Sequence, residues 1–288
     1  MLVRAYPPPY PPGRRCLEVR GPEDVPNSVE LEMKEGGRLL PLFCGRTGVS
    51  TKKECHHERH CYMIKTTCAA VLETLGTLVI KDVELLELLT GQVLVKVLFR
   101  GVCRSQLMEV HGARGDDPWL PHLLGHEGSG IVVAVGDGVN KVKSDDEVIL
   151  GWGKGEGLDA PGAKYMHGDQ IINAGRVTTF SNYTIISESR VVKNPAGLSF
   201  DTAILFGCTL PTGAGMVLNE LKPSSDSSVV VLGLGGIGLS ALVALKAIGV
   251  KMIIAVDVSE GKLELAKQFG ANHVFNSSMK GFPKQCSI

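Results

Sequence analysis

The chain has 288 residues, enough for about two domains, and its 44% hydrophobic content can bury a sizeable core. Lys plus Arg and Asp plus Glu both number 30, so no charge excess points to nucleic acid or an anionic membrane as partner. The eight cysteines (Cys16, Cys44, Cys55, Cys61, Cys68, Cys103, Cys208 and Cys286) follow no regular framework, and no secretory signal peptide precedes them. A reducing, cytoplasmic setting is therefore expected.

Residues 1–62 open with AYPPPYPPGRR and continue without periodicity, which predicts an extended, solvated extension. From residue 63 the pattern becomes short strands and turns. AAVLETLG reads as strand and turn. QVLVKVLFR reads as a strand, with Val93, Val95 and Val97 alternating, that leads into a functional loop. GSGIVVAVGDGV, DDEVIL, FSNYTII and SRVVKNP continue the rhythm, while 151–176 reads as Gly-rich and irregular. Residues 63–215 are thus expected to form a mostly β domain. Residues 216–288 switch to βαβ: SVVVLGL, the helix GIGLSALVALKAIG, the strand MIIAVD, the helix SEGKLELAKQFG, and NHVF opening a third strand. Ser259 is the expected N-cap of the second helix and Gly270 its C′ residue. This alternation means a parallel, doubly wound α/β sheet. The apolar run 229–250 is long enough to cross a bilayer. Its central GLGGIG would weaken a single helix, so strand, glycine turn and helix explain it better.

Gly233, Gly235 and Gly238 form a GxGxxG that follows a strand, opens a helix and precedes an acid, Asp257, nineteen residues after Gly238. In that context the motif is a dinucleotide fingerprint. The first glycine permits the tight turn, the second a close approach of backbone to pyrophosphate, and the third close packing of helix on strand. The helix N-terminus presents unpaired N–H groups to the phosphates. Asp257 can accept from both ribose hydroxyls and repels a 2′-phosphate, so NAD is expected rather than NADP.

Three possible metal ligands, Cys103, His126 and Cys208, occur in GVCRSQ, GHEGSG and FGCTLPTG. Spacing alone does not connect them, and a lone cysteine is ordinarily a buried small hydrophobe. Each nevertheless lies in a Gly-rich loop at a strand edge, where functional groups are held. In order and spacing, GVCRS, GHEGSGIVVAVGDGV, GCTLPTGAG and VLGLGGIGLSALVALKAIG followed by IIAVDVSEGKLELAKQFGA resemble the zinc-containing medium-chain alcohol dehydrogenases across about 63–278. The resemblance implies a GroES-like β domain followed by a Rossmann domain, with Cys103, His126 and Cys208 holding one catalytic Zn2+. It also implies hydride transfer between a small-molecule alcohol, polyol or carbonyl compound and NAD. Glu127 would approach the zinc, and Ser105 would pass the alcohol proton outward. Arg104 would meet the pyrophosphate, Thr212 the nicotinamide and Lys262 the adenosine ribose. A homo-oligomer is a further implication.

The chain also departs from that pattern. Gln106 stands where many relatives carry an outer Asp of the zinc site, and Met108 where some carry a proton-relay His. GWGKGEGLDAPGAKYMHGDQIINAGR contains no cysteine, which excludes the four-thiolate structural zinc site of many relatives at this loop. ECHHERHC near the start offers competent ligands in a spacing that matches no closed structural site. The second half of the nucleotide-binding sheet is expected to be missing, and MKGFPKQCSI carries no regular period. An alternative is therefore a truncated, catalytically silent zinc- or NAD-binding relative. A zinc-free reductase of the same superfamily is disfavoured by the joint presence of Cys103, His126 and Cys208.

Overall fold

The computed structural model describes residues 64–279. The Pro-rich extension, the ECHHERHC cluster and residues 280–288 lie outside them. Among the described residues the chain divides into two compact units at the Gly207–Cys208 bond.

The first unit is built on two five-stranded sheets. Its elements are β1 Thr66–Thr74, β2 Thr77–Leu85, β3 Gln92–Arg100, α1 Arg104–Val110, β4 His122–Leu123, β5 Gly128–Val135 and β6 Glu147–Leu150, then β7 Tyr165–His167, β8 Gln170–Ile172, β9 Tyr183–Ser187, β10 Val191–Lys193 and α2 Phe200–Ala203. One sheet has the order β4-β1-β2-β7-β8 and the other β10-β6-β5-β3-β9. The named strand pairings in both are antiparallel. β3 carries the alternation expected of it, but both of its faces are buried. Leu94 enters the cluster of Val71, Val83, Tyr165 and Ile172, whereas Val93, Val95 and Val97 enter that of Val132, Val148 and Ile186. The strand therefore reads as a nearly continuous apolar run broken by the exposed Lys96. β5 lies so close to β3 that a Cβ on Gly130 would overlap the Lys96 carbonyl oxygen.

Three local features depart from the reading of the sequence. The stretch after β3 is not only a loop: Arg104–Val110 is helical, with Gln106 and Val110 buried at i, i+4 spacing. β2 was hidden because its half-buried positions blur the alternation. The nominally irregular 151–176 contains the β7–β8 hairpin, turning at Gly168 with φ 57°. Three-residue strands are too short to leave a period.

The second unit begins with α3 Thr209–Gly215, which widens into a π-turn over Met216–Leu221. There follow β11 Ser228–Leu232, α4 Gly236–Ala247, β12 Met252–Asp257, α5 Glu260–Gln268 and β13 His273–Asn276. The strands form a parallel sheet in the order β11-β12-β13, with Val230 opposite Ile254 and Ala255 opposite Val274. Leu242 and Leu245 of α4, with Leu263 and Ala266 of α5, pack on Ile253 and Ala255 of the central strand. Gly249 (φ 78°) and Gly270 (φ 107°) stop the helices in the left-handed conformation that favours glycine. The apolar run 229–250 thus divides into strand, turn and helix. Among the described residues no single helix is long and apolar enough to cross a membrane.

Candidate metal centre and nucleotide loop

Each expected ligand is set by a glycine beside it. Cys103 follows β3 in an extended conformation and opens α1. Two residues before it, the Gly101 N–H donates to the Glu127 carbonyl at 3.2 Å, and a Cβ at Gly101 would overlap the Glu127 carboxylate. Gly125, before His126, has φ +98°, and a Cβ there would sit 2.7 Å from the backbone nitrogens of Thr179 and Phe180. Those nitrogens donate to the Leu124 carbonyl, and the Thr179 hydroxyl donates to the Glu127 carbonyl at 3.0 Å. The chain is therefore clamped on both sides of His126. The Gly207 carbonyl accepts from the Trp152 N–H at 2.9 Å, and a Cβ at Gly207 would overlap the Leu150 carbonyl oxygen and the Glu127 Cβ. This fixes the peptide that leads into Cys208, so Cys208 takes its position from the first unit to which it is bonded.

The result is a cluster in which one ligand atom from each of Cys103, His126 and Cys208 lies within 4.8 Å of the others, all three side chains being half-buried. Four-coordinate zinc with thiolate and imidazole ligands holds its donor atoms about 3.5–3.8 Å apart, so closure by at most about 1.3 Å brings these three onto one ion. The ring of His126 is oriented by Gln106. That side chain is buried, and the hydrogen-bond network assigns its amide oxygen toward the His126 loop. It then accepts from His126 Nδ1 at 3.0 Å, from the His126 N–H at 3.2 Å and from the Gly125 N–H at 2.8 Å. Nδ1 thus bears the proton and Nε2 keeps its lone pair, the tautomer a metal ligand needs. A neutral amide performs the orienting work of a carboxylate without adding charge. Trp152, which the sequence reading did not single out, meets the His126 ring edge-on at 6.0 Å and is itself covered by Arg190. Glu127 is buried beside the His126 backbone. Ser105 is half-buried in the first turn of α1, and Arg104 is exposed next to it.

In the second unit the three motif glycines have three different physical reasons. Gly233 turns the chain at φ +88°. Gly235 precedes the N-terminus of α4, and a Cβ there would meet no protein atom within 4 Å, so packing alone does not demand glycine. Gly238 packs α4 on the turn, and a Cβ there would overlap the Gly233 carbonyl oxygen. Asp257 ends β12 and ties the turn down. Its Oδ2 accepts from the Leu234 N–H at 2.7 Å and its Oδ1 from the Ser259 N–H at 3.0 Å. Partial burial opposes ionisation of Asp257, but those N–H donors and the Lys262 ammonium outweigh it and hold the carboxyl below its usual range. Ser259 occupies the N-cap position of α5 without a side-chain cap bond. Thr212 is exposed on α3, its hydroxyl donating to the Cys208 carbonyl at 2.7 Å. Lys262 is exposed on α5.

Sequence reading also missed Glu188. Its side chain is fully buried. Oε1 accepts from the N–H groups of Asn140 at 2.8 Å and Lys141 at 2.7 Å, and Oε2 from that of Leu158 at 2.7 Å. Burial would raise this carboxyl, but the three N–H donors and Lys141 reverse the balance and hold it below its ordinary value. Ser187 Oγ accepts from the Ala160 N–H at 2.9 Å and donates to the Leu158 carbonyl at 2.8 Å. The cysteine-free loop after β6 is therefore held by one buried carboxylate and neighbouring serine bonds.

Residues 90–196 match the family described as alcohol dehydrogenase GroES-like domain, and 236–287 match zinc-binding dehydrogenase. The alcohol dehydrogenase class-3 of Cereibacter sphaeroides is 34% identical, over 75% of this chain and 64% of that protein. The S-(hydroxymethyl)glutathione dehydrogenase of Paracoccus denitrificans is likewise 34% identical, over 77% of this chain and 64% of that protein. The benzyl alcohol dehydrogenase structure from Acinetobacter calcoaceticus superposes with a TM-score of 0.66 at 32% identity, covering 75% of this chain and 65% of that one. The chain thus spans 64% of the length of these curated relatives. By its two matched domains, their order and these relatives, the chain belongs to the zinc-containing medium-chain alcohol dehydrogenase family.

Proposed function

We propose that this protein is a zinc-dependent oxidoreductase that transfers a hydride between an alcohol or polyol and NAD. The observation that carries the reading is the convergence of Cys103, His126 and Cys208, two soft thiolate donors and one imidazole with its tautomer already set. This donor set suits a catalytic tetrahedral zinc with one coordination position left for substrate. When bound, zinc supplies Lewis-acid polarisation of the substrate oxygen, and NAD supplies the hydride acceptor. Gln106 accepts from Nδ1 of His126 and so turns Nε2 toward the metal, and Glu127 holds the backbone on which His126 sits. The Ser105 hydroxyl takes the alcohol proton, which leaves through water because Met108 cannot relay it. Gly233, Gly235 and the start of α4 receive the pyrophosphate. Asp257 and Lys262 hold the adenosine ribose, and Thr212 faces the nicotinamide. Two thiolate ligands need a reducing compartment, in keeping with a cytoplasmic protein, and a homo-oligomer belongs to the same proposal.

The test is alcohol-dependent NADH formation by the zinc-loaded chain. Benzyl alcohol and S-(hydroxymethyl)glutathione are the first compounds to screen because relatives carry their names. Cys103→Ala is expected to abolish turnover, about 1,000-fold or more, if the zinc acts as proposed. A Cys103→Ala protein that kept its rate would place the chain with zinc-free reductases. Zinc and NADH binding without turnover of any alcohol would make it a silent binding relative.

The glycine motif is tested separately from the metal. Gly235→Ala meets open space, so the melting temperature is expected to hold while NADH affinity falls about tenfold or more. Gly238→Ala forces α4 off the turn and is expected to cost about 3 kcal/mol of stability along with NADH binding. Equal NADH affinity in Gly235→Ala and the parent would remove the pyrophosphate from this turn.

A further inference from the structure

We propose a second divalent-cation site, made by Glu109, Asp117 and His122. One ligand atom from each lies within 4.8 Å of the other two. His122 is buried, Asp117 is largely covered, and Glu109 is partly exposed. Nε2 of His122 lies 2.8 Å from Asp117 Oδ2 and 3.8 Å from Glu109 Oε1. Donor atoms about 2.1 Å from one ion stand about 3.0–3.4 Å apart in octahedral or tetrahedral geometry, so the two distances bracket the value a single cation imposes.

Bonds outside the cluster fix two of the three ligands. Nδ1 of His122 lies 3.0 Å from the Leu123 carbonyl oxygen. A carbonyl can only accept, so Nδ1 carries the proton and Nε2 is the atom presented to the carboxylates. An imidazole whose other nitrogen donates to a backbone carbonyl is oriented in the way metal-binding histidines are. Oδ1 of Asp117 accepts from the Trp119 N–H at 2.9 Å, which leaves Oδ2 as the inward oxygen. Glu109 is delivered by the last turn of α1. A neutral Nε2 would turn its lone pair onto a carboxylate at hydrogen-bond distance, which is repulsive. A cation bound between Nε2 and the carboxylate oxygens would satisfy that lone pair and both acceptors at once. Two carboxylates exceed what one proton can neutralise, whereas a divalent cation balances both. One nitrogen and two carboxylate oxygens, with room for water on the Glu109 side, suit Mn2+, Fe2+ or Zn2+. Such a cation would tie the end of α1 to β4 across residues 111–121, on the helix that begins at Cys103.

Manganese is the probe because thiolates select softer ions, so it reports on this site rather than on Cys103, His126 and Cys208. The full chain is given one equivalent of zinc, which the two thiolates take first, freed of excess zinc, and then titrated with Mn2+ while free manganese is followed by electron paramagnetic resonance. The expected result is one tightly held manganese per chain that raises the melting temperature. Asp117→Asn and Glu109→Gln are each expected to weaken its binding by about tenfold or more. Glu109→Gln changes only a partly exposed carboxylate, so it reports even if Asp117→Asn folds poorly. Cys208→Ser is expected to leave manganese binding unchanged. Uptake equal in the parent and in Glu109→Gln, or no stoichiometric uptake at all, would overturn the proposal and leave His122 in a simple pair with Asp117.

Discussion

Cys208→Ser is expected to reduce bound zinc from about one ion per chain to below about a tenth of that, measured by elemental analysis after dialysis. Serine keeps the volume of cysteine, but its hydroxyl does not ionise at neutral pH and is a poor zinc donor. The substitution therefore isolates the ligand from the packing. Gly207, fixed by Trp152, Leu150 and Glu127, should still deliver residue 208 to the same point, so the first unit is expected to melt as the metal-free parent does. Undiminished zinc in Cys208→Ser would mean that the ion sits elsewhere.

The second large effect belongs to Glu188. Replacing it with Ala removes the acceptor of three backbone N–H groups, those of Asn140, Lys141 and Leu158. At about 1 kcal/mol for each hydrogen bond lost by these partly exposed N–H groups, the expected loss is about 3 kcal/mol, a large share of a typical domain's stability. Glu188→Gln separates the two halves of the anchor. Its single amide oxygen can serve Asn140 and Lys141, but the amide nitrogen then confronts the Leu158 N–H. Hydrogen exchange at Leu158 should accelerate while that at Asn140 and Lys141 stays slow. The parent also carries an acid dependence. Because the folded carboxyl lies below its ordinary value of 4.5, its stabilisation is complete above that pH. It is lost as pH falls through the lower folded value. Glu188→Gln should lack this increment. Equal melting of the parent and Glu188→Ala at neutral pH would contradict the anchoring role.

These two residues also mark what could be read from the sequence and what could not. The βαβ unit was legible because its strands are continuous apolar runs and its turns are glycines whose conformation is required, as at Gly233, Gly249 and Gly270. β3 was legible from Val93, Val95 and Val97. The three proposed metal ligands were legible as members of a family pattern but not from spacing, because residues separated by long loops converge only once the chain is folded. Gln106 could be noticed as a departure, yet its bond to His126 depends on α1, a short helix that leaves little periodic trace. Glu188 left no trace. A lone acid in ISESR looks like a surface residue, and only the folded loops around 140 and 158 show why it is buried. Asp117 and His122 were equally silent, since each becomes informative only beside Glu109.

Cys103, His126 and Cys208 are proposed to hold one metal. Cobalt substitution tests it most directly. A purified chain loaded with one Co2+ should display intense thiolate-to-cobalt charge-transfer absorption together with tetrahedral ligand-field bands. Both should diminish in Cys103→Ala and in Cys208→Ser. Cobalt bound without a thiolate band, or a spectrum unchanged by either substitution, would mean that these residues do not hold the metal.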